Sequence, residues 1–151
     1  MAEVRGGGAA ANVAGMLAAD AASRGLGISI EAVEPGRATA RMRIRPSMVN
    51  GHGIAHGGYL FLLADSAFAF ACNSHGPVTV ASAAEITFLA PGREGDDLVA
   101  TAEERFRGGR RGVYDVTVRT GAGAVLAEFR GHSHTRDERV SAAGAAGAPA
   151  G

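Results

Sequence analysis

A chain of 151 residues is long enough for one domain with a real core and too short for two. Its fifteen basic residues, all of them Arg, balance fifteen acidic residues, so the net charge is zero with His neutral. A nucleic-acid-binding protein needs a basic surface, so this balance argues against that class. The absence of Lys excludes Schiff-base chemistry on a lysine.

Cysteine content and hydropathy bear on where the protein works. Cys72 is the single cysteine, so no internal disulfide can form, and this suits a reducing compartment. The N-terminus lacks the pattern of a signal peptide, and Asp65 and Ser66 interrupt the most apolar run well short of the ~20 residues that span a bilayer. We therefore expect a soluble cytoplasmic protein that has no membrane partner.

The two ends of the chain are rich in small residues. Residues 1–11 and 138–151 carry little apolar surface, and we expect both to be disordered tails around one domain over residues 12–137. Within that domain, the segment Asn12–Ser23 predicts a short helix that Gly25 and Gly27 end.

The pattern that follows predicts an antiparallel sheet around one long helix. Alternating apolar and polar residues predict a hairpin from Ile28 to Ile44, turning at Glu34–Arg37. A helix apolar on nearly all sides covers Tyr59–Phe70, which indicates burial on several sides. Four more strand-like runs come after it: Val78–Leu89, Asp97–Phe106, Gly112–Arg119 and Ala124–His134. This order is not βαβ alternation, so it favours an α+β fold in which a curved antiparallel sheet wraps a long central helix.

The start of the central helix is a candidate site for negative charge. His56, Gly57 and Gly58 lie where the apolar period begins, so the backbone N–H groups of the two glycines lack partners within the helix. The helix dipole favours negative charge at this position, and the missing side chains allow close approach. These features suit an oxyanion hole for acyl transfer, although a glycine-rich helix entry without a ligand would look the same.

Asp65 is a carboxylate in the middle of this apolar helix. Burial of an unpaired charge is costly, so we interpret Asp65 as a catalytic nucleophile or a general base toward water. The structural alternative is a carboxylate held by Arg41 or Arg43, or by hydroxyl groups. The neighbouring Ser66 could orient the attacking water, or could bond back to its own helix.

The spacing of these two features predicts an assembly. Gly57 and Asp65 are eight residues apart, which is about 12 Å along an α-helix. An oxyanion donor and a nucleophile must both lie within about 3 Å of one carbonyl group. One helix cannot satisfy both, so a shared substrate predicts a homodimer in which Gly57 of one chain faces Asp65 of the other.

Other kinds of site have weaker support. His52 and His56 flank a loop glycine, and His132 and His134 share one face of a strand, so we predict no metal site. The chain has no nucleophile elbow of a serine hydrolase and no complete dinucleotide fingerprint. The basic turn Arg105–Gly112 is able to hold phosphates, or to be an ordinary solvated hairpin end.

The segment Asn50–Ser74 strongly resembles a known family. It reads NGHGIAHGGYLFLLADSAFAFACNS, and it is followed by ASAAEITFLAPGREGDDLVATA, GVYDVTV and FRGHSH. These motifs resemble the thioesterases of bacterial phenylacetic acid degradation, which belong to the hotdog-fold acyl-coenzyme A thioesterases. The resemblance covers about Leu17–Thr135. It implies the hotdog fold, dimers that usually pair into tetramers, and hydrolysis of an acyl-coenzyme A thioester without metal or other cofactor.

The resemblance also implies roles for individual residues. It matches Asp65 to the family's catalytic aspartate and Gly57 to the backbone donor for the thioester carbonyl, with Gly58 beside it. Asn50 and His56 match residues that line the same pocket, and Ser66 keeps the hydroxyl that follows the aspartate. The acyl group is expected to contact a set of apolar side chains that suit aryl and medium aliphatic groups alike: Phe61, Leu62, Phe68 and Phe88.

The basic turn departs from the family pattern. The family often has one basic residue and a Thr before Gly-Val-Tyr-Asp, whereas this chain has Arg110 and Arg111. We still expect these two residues, more than Arg93, to contact the phosphates of coenzyme A.

The substrates that the resemblance implies are phenylacetyl-coenzyme A and its ring-hydroxylated derivatives. A hotdog-fold acyl-coenzyme A hydratase or dehydratase is an alternative, as is a thioesterase for medium-chain aliphatic acyl groups. A non-catalytic acyl-coenzyme A binding module is disfavoured, because binding alone gains nothing from a buried acid.

Overall fold

The structure is a computed structural model that describes residues 3–139, with side chains to residue 137. Three short helices come first: α1 Gly7–Asn12, α2 Ala14–Ala19 and α3 Ala21–Gly25. The long helix α4 spans Gly57–Asn73. The strands are β1 Ser29–Glu34, β2 Arg37–Arg43, β3 Pro77–Phe88, β4 Asp97–Gly108, β5 Arg111–Thr120 and β6 Val125–Arg139.

The strands form a single antiparallel sheet in the order β1-β2-β4-β5-β6-β3. Helix α4 packs against its inner face and contacts all six strands. The predicted α+β architecture, a long helix wrapped by a curved antiparallel sheet, is confirmed, and it is the hotdog fold. None of the helices in residues 3–139 is long and apolar enough to cross a membrane.

Alternation along the strands explains which face meets the helix. In β2, Ala38, Ala40 and Met42 are buried, while the residues between them point outward and include Arg41 and Arg43. The small alanines let the helix approach the sheet closely. Gly131 of β6 serves the same purpose, because a Cβ there would lie 2.8 Å from the ring of Phe68 on α4.

Strand β3 is an open edge of the sheet. It pairs with β6 on one side, and no strand within residues 3–139 pairs with its other side. Most of its residues are exposed, including Val80 at 42%. Natural proteins rarely leave a strand of this length uncovered, because its free backbone groups recruit another chain.

The N-terminal region differs from the sequence prediction. The single helix expected over Asn12–Ser23 is interrupted after α2, because Asp20 begins α3 by accepting a hydrogen bond from the Ser23 N–H at 3.0 Å. The expectation of a disordered segment over residues 1–11 is wrong for part of that segment. Arg5 pairs with Ala32 of β1, and α1 covers Gly7–Asn12 with Ala9 buried, so burial against the sheet orders a sequence of low local complexity.

The C-terminal boundary also shifts slightly. Strand β6 continues to Arg139, where it pairs with Pro77, so the first two residues of the expected tail belong to the sheet. Residues 140–151, the rest of that predicted tail, lie outside the described part of the chain.

The end of α4 is held by a polar network that the sequence pattern did not reveal. The Tyr114 hydroxyl donates to Glu104 Oε2 at 2.6 Å, and His75 Nε2 lies 2.7 Å from the same oxygen. Burial alone would raise the pKa of Glu104, but the hydrogen bonds from Tyr114 and His75 and the charges of His75 and Arg107 outweigh it and hold that pKa below its usual value. The network joins β4, β5 and the residues just after α4.

We expect Glu104→Gln to lower the free energy of unfolding by about 1 kcal/mol at pH 7, because it removes charge-assisted hydrogen bonds. Since the pKa of Glu104 is lowered by folding, its stabilisation is present above the usual Glu pKa and is lost as the pH falls through the folded value. Urea unfolding at several pH values should show the difference from the unsubstituted protein closing in acid.

Glu103→Gln is the matched control for this prediction. Glu103 is exposed and lies 3.5 Å from Arg37, a geometry that contributes little in water. An equal loss from Glu103→Gln and Glu104→Gln would contradict the role assigned to the network.

Candidate active site

The start of α4 presents one free backbone donor. His56 is the N-cap residue, and its Nδ1 accepts a hydrogen bond from the Gly58 N–H at 2.9 Å. The Gly57 N–H donates to no residue in the stretch from 3 to 139. Of the two glycines predicted as donors, the structure therefore leaves Gly57 available, while Gly58 is occupied by the cap.

His56 has a defined role in this geometry. Because Nδ1 accepts the hydrogen bond from Gly58, the neutral imidazole carries its proton on Nε2. The ring therefore fixes the helix start with one nitrogen and keeps an N–H donor on the other. The bond joins residues two positions apart and is therefore a local feature, but histidine is not one of the usual N-cap residues, so the sequence pattern predicted a free Gly58 N–H.

Asn50 lies beside Gly57 in the same cavity wall. Its Oδ1 accepts from the His52 N–H at 2.9 Å and from the Ile54 N–H at 3.4 Å, which closes the loop that leads into α4. Its Nδ2 has no acceptor in the described chain. Asn50 thus shapes the loop through its oxygen and offers a second donor through its nitrogen.

Gly57 and Asn50, which carry two of these donors, border an apolar cavity of about 520 Å³. Asn50 and Gly57 line it together with apolar residues of α4, of the end of β3 and of the loop after β3, namely Leu60, Phe88, Leu89, Ala90 and Pro91. Such a combination of an apolar wall and a few donors is typical of a small-molecule site. The donors suit a developing negative charge on oxygen, and the apolar wall suits an uncharged group attached to it.

Asp65 lies on a face of α4 that the described residues leave open. Gly58, Phe61, Leu62, Asp65 and Ala69 follow one another at helical spacing and are half-buried or exposed, and we call them the open stripe. The Asp65 carboxylate forms no hydrogen bond or ion pair with any residue that the structure describes. Burial raises its pKa, and no partner offsets this effect.

The structural alternative for Asp65 is not what the structure shows. Arg41 pairs with Glu31 at 2.6 Å, and Arg43 lies 3.5 Å from Asp97, both on the outer side of the sheet. An unpaired, partly desolvated carboxylate does not stabilise the fold, which makes Asp65 a candidate functional group.

Ser66 differs from the prediction. It is 9% exposed, and its Oγ lies 2.9 Å from the Oγ of Ser23 on α3. Its hydroxyl therefore neither orients water at the open stripe nor bonds back to its own helix, and it joins α4 to α3 instead.

Ser23 also lines a second cavity, of about 570 Å³, between α2, α3 and β1, which neither Gly57 nor Asp65 lines.

The apolar residues expected near the acyl group separate into two kinds. Phe68 is buried between Tyr114 and Phe129 and belongs to the core. Phe61 lies on the open stripe, where its ring packs edge-on against Phe129 at a centroid distance of 5.3 Å. Phe88 lies in the cavity beside Gly57.

The basic turn lies at the other end of the molecule from Gly57. Arg111 is opposite His134 on β6, which is opposite Val80 near the start of β3, whereas Gly57 touches Phe88 at the end of β3. The eight residues from Val80 to Phe88 span about 26 Å of extended strand. One chain therefore holds its basic turn far from its own Gly57.

The two predicted phosphate contacts also differ from each other. Arg110 forms a bidentate ion pair with Asp137, at 2.7 and 2.8 Å. Arg111 is exposed and forms no ion pair with a described residue. Arg111 is the freer of the two cations, and the pairing of Arg110 with a residue 27 positions away could not be read from the sequence.

Metal ligands do not assemble in this part of the chain. Within residues 3–139, no group of three or more His, Cys, Asp and Glu side chains is placed to hold a metal ion.

Comparisons with known proteins agree with this geometry. The family model of the thioesterase superfamily matches residues 52–127. Acyl-coenzyme A thioesterase PaaI of Escherichia coli is 47% identical over 123 residues, which are 82% of this chain and 88% of the relative. The structure of the E. coli PaaI protein from the phenylacetic acid degradation operon has a TM-score of 0.86 at 44% identity, covering 88% of this chain and 96% of that one. The smu.793 protein of Streptococcus mutans, solved bound to acetyl CoA, has a TM-score of 0.71 at 26% identity, covering 74% and 90%.

Proposed function

This chain belongs to the thioesterase superfamily, and we propose that it hydrolyses the thioester of phenylacetyl-coenzyme A, or of a ring-hydroxylated derivative, to the free acid and coenzyme A. The observation that carries the proposal is the free Gly57 N–H at the wall of an apolar cavity, together with the Asp65 carboxylate on the open stripe of the same helix, which has no partner among the described residues. The similarity to the E. coli thioesterase supports the aryl acyl group.

The proposed chemistry uses two chains. The thioester carbonyl accepts a hydrogen bond from the Gly57 N–H of one protomer, with Asn50 Nδ2 and His56 Nε2 as neighbouring donors. Asp65 of the other protomer attacks the carbonyl carbon or removes a proton from an attacking water. Attack by Asp65 expels coenzyme A as its thiolate and leaves an acyl–aspartyl anhydride, which water then hydrolyses to the free acid. Attack by water gives the free acid directly, and the proton taken up by Asp65 passes to the leaving thiolate. In both routes the donors stabilise the oxyanion that forms on the way.

The proposed homodimer forms through β3. Its free edge is able to pair with the same edge of a second copy about a two-fold axis, which makes the pairing antiparallel. This pairing would cover the open stripe and bring Asp65 of one copy toward Gly57 of the other. A tetramer, made from two such dimers, is part of the same proposal.

The dimer also explains the position of the basic turn. In an antiparallel pair of β3 strands centred on Ala84, Val80 of one copy comes close to Phe88 of the other. The turn with Arg111, and Arg110 beside it, then lies near the partner's Gly57. We infer that the protomer that supplies Asp65 also supplies the cations for the coenzyme A phosphates.

A cytoplasmic location belongs to this proposal, and the unpaired Cys72 fits it.

A pair of substitutions at Gly57 tests the oxyanion hole. Proline is tolerated at the first position of a helix, and the extended backbone of His56 is compatible with a following proline. Gly57→Pro replaces the backbone N–H by a ring carbon and so removes the donor. We expect it to lower kcat for phenylacetyl-coenzyme A by about 100- to 1000-fold. Thiol release is the measurement.

Gly57→Ala is the matched variant, because it adds a Cβ at the same place and keeps the N–H. We expect it to lose far less activity than Gly57→Pro. Equal losses in the two variants would contradict a role for the N–H. Hydration of an enoyl-coenzyme A without thiol release would contradict the thioesterase itself and favour the hydratase.

A further inference from the structure

Phe88 is an exposed aromatic side chain in contact with the oxyanion donor. It is the last residue of β3 and is 54% exposed. A Cβ built on Gly57 would lie 2.8 Å from its Cζ and 3.0 Å from its Cε1. The ring therefore lies directly against the backbone of Gly57, in space that the side chain of any other residue at position 57 would occupy.

The ring faces the inside of the sheet. Phe88 is opposite Ala127, which is fully buried, and paired residues of neighbouring strands point to the same face. It lines the cavity of about 520 Å³ together with Asn50 and Gly57. Its exposure thus comes from an open cavity and not from an outward orientation.

Phe88 is less restrained than the other aromatic residues near α4. Phe61 and Phe68 are each packed against Phe129. Phe88 makes no ring contact with any aromatic side chain in residues 3–137, and more than half of its surface is exposed, so a turn of its ring into the cavity displaces no core side chain. An exposed aromatic side chain at the reacting end of a cavity is well placed to contact the ligand.

We infer that Phe88 determines the acyl specificity of the enzyme, an inference that rests on the proposed thioesterase function. When the thioester carbonyl reaches the Gly57 N–H, the ring turns away from Gly57 and packs against the acyl group. An aryl acyl group gains an edge-to-face or offset contact with the ring, and a short alkyl group does not. Phe88 therefore selects aryl over short aliphatic thioesters.

The test compares two substrates in Phe88→Leu and Phe88→Ala. We expect kcat/KM for phenylacetyl-coenzyme A to fall by about tenfold, and that for butyryl-coenzyme A by less than about twofold, since aromatic pairing accounts for roughly that difference. Phe106→Ala is the matched control, because Phe106 is 57% exposed but lies on the outer face of β4, opposite Val113. Its ratio of the two kcat/KM values should equal that of the unsubstituted enzyme.

A second measurement does not depend on truncating Phe88. Because a Cβ at position 57 displaces the ring, Gly57→Ala should change the preference for phenylacetyl over butyryl groups when Phe88 is present, and should leave the preference of Phe88→Leu unchanged. Equal losses for both substrates, or an unchanged ratio, would overturn the inference while leaving the thioesterase intact. Failure of the unsubstituted enzyme to release thiol from either substrate would overturn both.

Discussion

Asp65→Asn is expected to lower kcat for phenylacetyl-coenzyme A by at least ~100-fold, since a catalytic general base or nucleophile contributes that much or more. The amide keeps the shape of the carboxylate but is neither nucleophilic nor basic. The substrate contacts made by Gly57 and Asn50 remain, so we expect KM to change much less than kcat. Thiol-release kinetics over a range of substrate concentrations separates the two parameters.

The same substitution should make the protein more stable. Burial raises the pKa of Asp65, so folding disfavours its ionised form. This destabilisation is absent below the usual Asp pKa, grows as the pH rises through the raised folded pKa, and is constant above it. We therefore expect Asp65→Asn to raise the Tm at pH 7 and to leave it unchanged in strong acid.

The activity of the unsubstituted enzyme should fall as the pH drops through that raised pKa, because the ionised carboxylate is the catalytically active form.

Asp20→Asn is the control for charge removal. Asp20 caps α3 with its side chain, and asparagine caps a helix about as well as aspartate. It should therefore preserve both kcat and Tm. Undiminished turnover in Asp65→Asn would remove Asp65 from the chemistry, and a lower Tm at pH 7 would show that its carboxylate has a stabilising partner.

Mixing two inactive variants should restore activity. Asp65→Asn keeps an intact Gly57, and Gly57→Pro keeps an intact Asp65, so a dimer containing one chain of each has one complete site and one doubly defective site. Random pairing makes half of the dimers mixed, so about a quarter of all sites should be intact and about a quarter of the unsubstituted activity should return. Each variant alone should stay at about one hundredth or below.

The experiment requires chains that pair together from the start. Co-expression of the two variants at equal levels achieves this, and the activity is compared with that of the same variants purified separately and combined just before the assay. Activity of the co-expressed sample no greater than the mean of the two variants would place Gly57 and Asp65 in a site within one chain. A substitution that blocks β3 pairing should abolish the recovery.

The sequence was sufficient for the main architecture. The apolar run of α4 and the alternation in β2 are local patterns. A hydrophobic period of 3.6 or 2 residues indicates which side of a helix or strand is buried without information from the rest of the chain. The motif around Gly57 and Asp65 was likewise readable, because a free helix start and an acid in an apolar helix are both local features. Their separation of about 12 Å follows from helix geometry alone.

The partners of individual side chains needed the tertiary structure. Ser66 bonds to Ser23, and Arg110 pairs with Asp137, through contacts between residues that are 43 and 27 positions apart. The sequence around a Ser or an Arg is the same whether its side chain faces a substrate or a distant strand. The choice depends on how the helices and strands pack, so the sequence did not reveal either partner.

What the sequence by itself determined was the α+β architecture and the apolar helix that carries Gly57 and Asp65, because helix and strand periodicity and the chemistry of a helix N-terminus act over a few residues. The resemblance of its motifs to a known family added the hotdog fold. Only the tertiary structure decided that Asp65 has no partner among the described residues and that Phe88 rests on Gly57. These facts depend on which surfaces meet when β3 folds back along α4, and a long-range contact of that kind leaves no trace in the local order of residues.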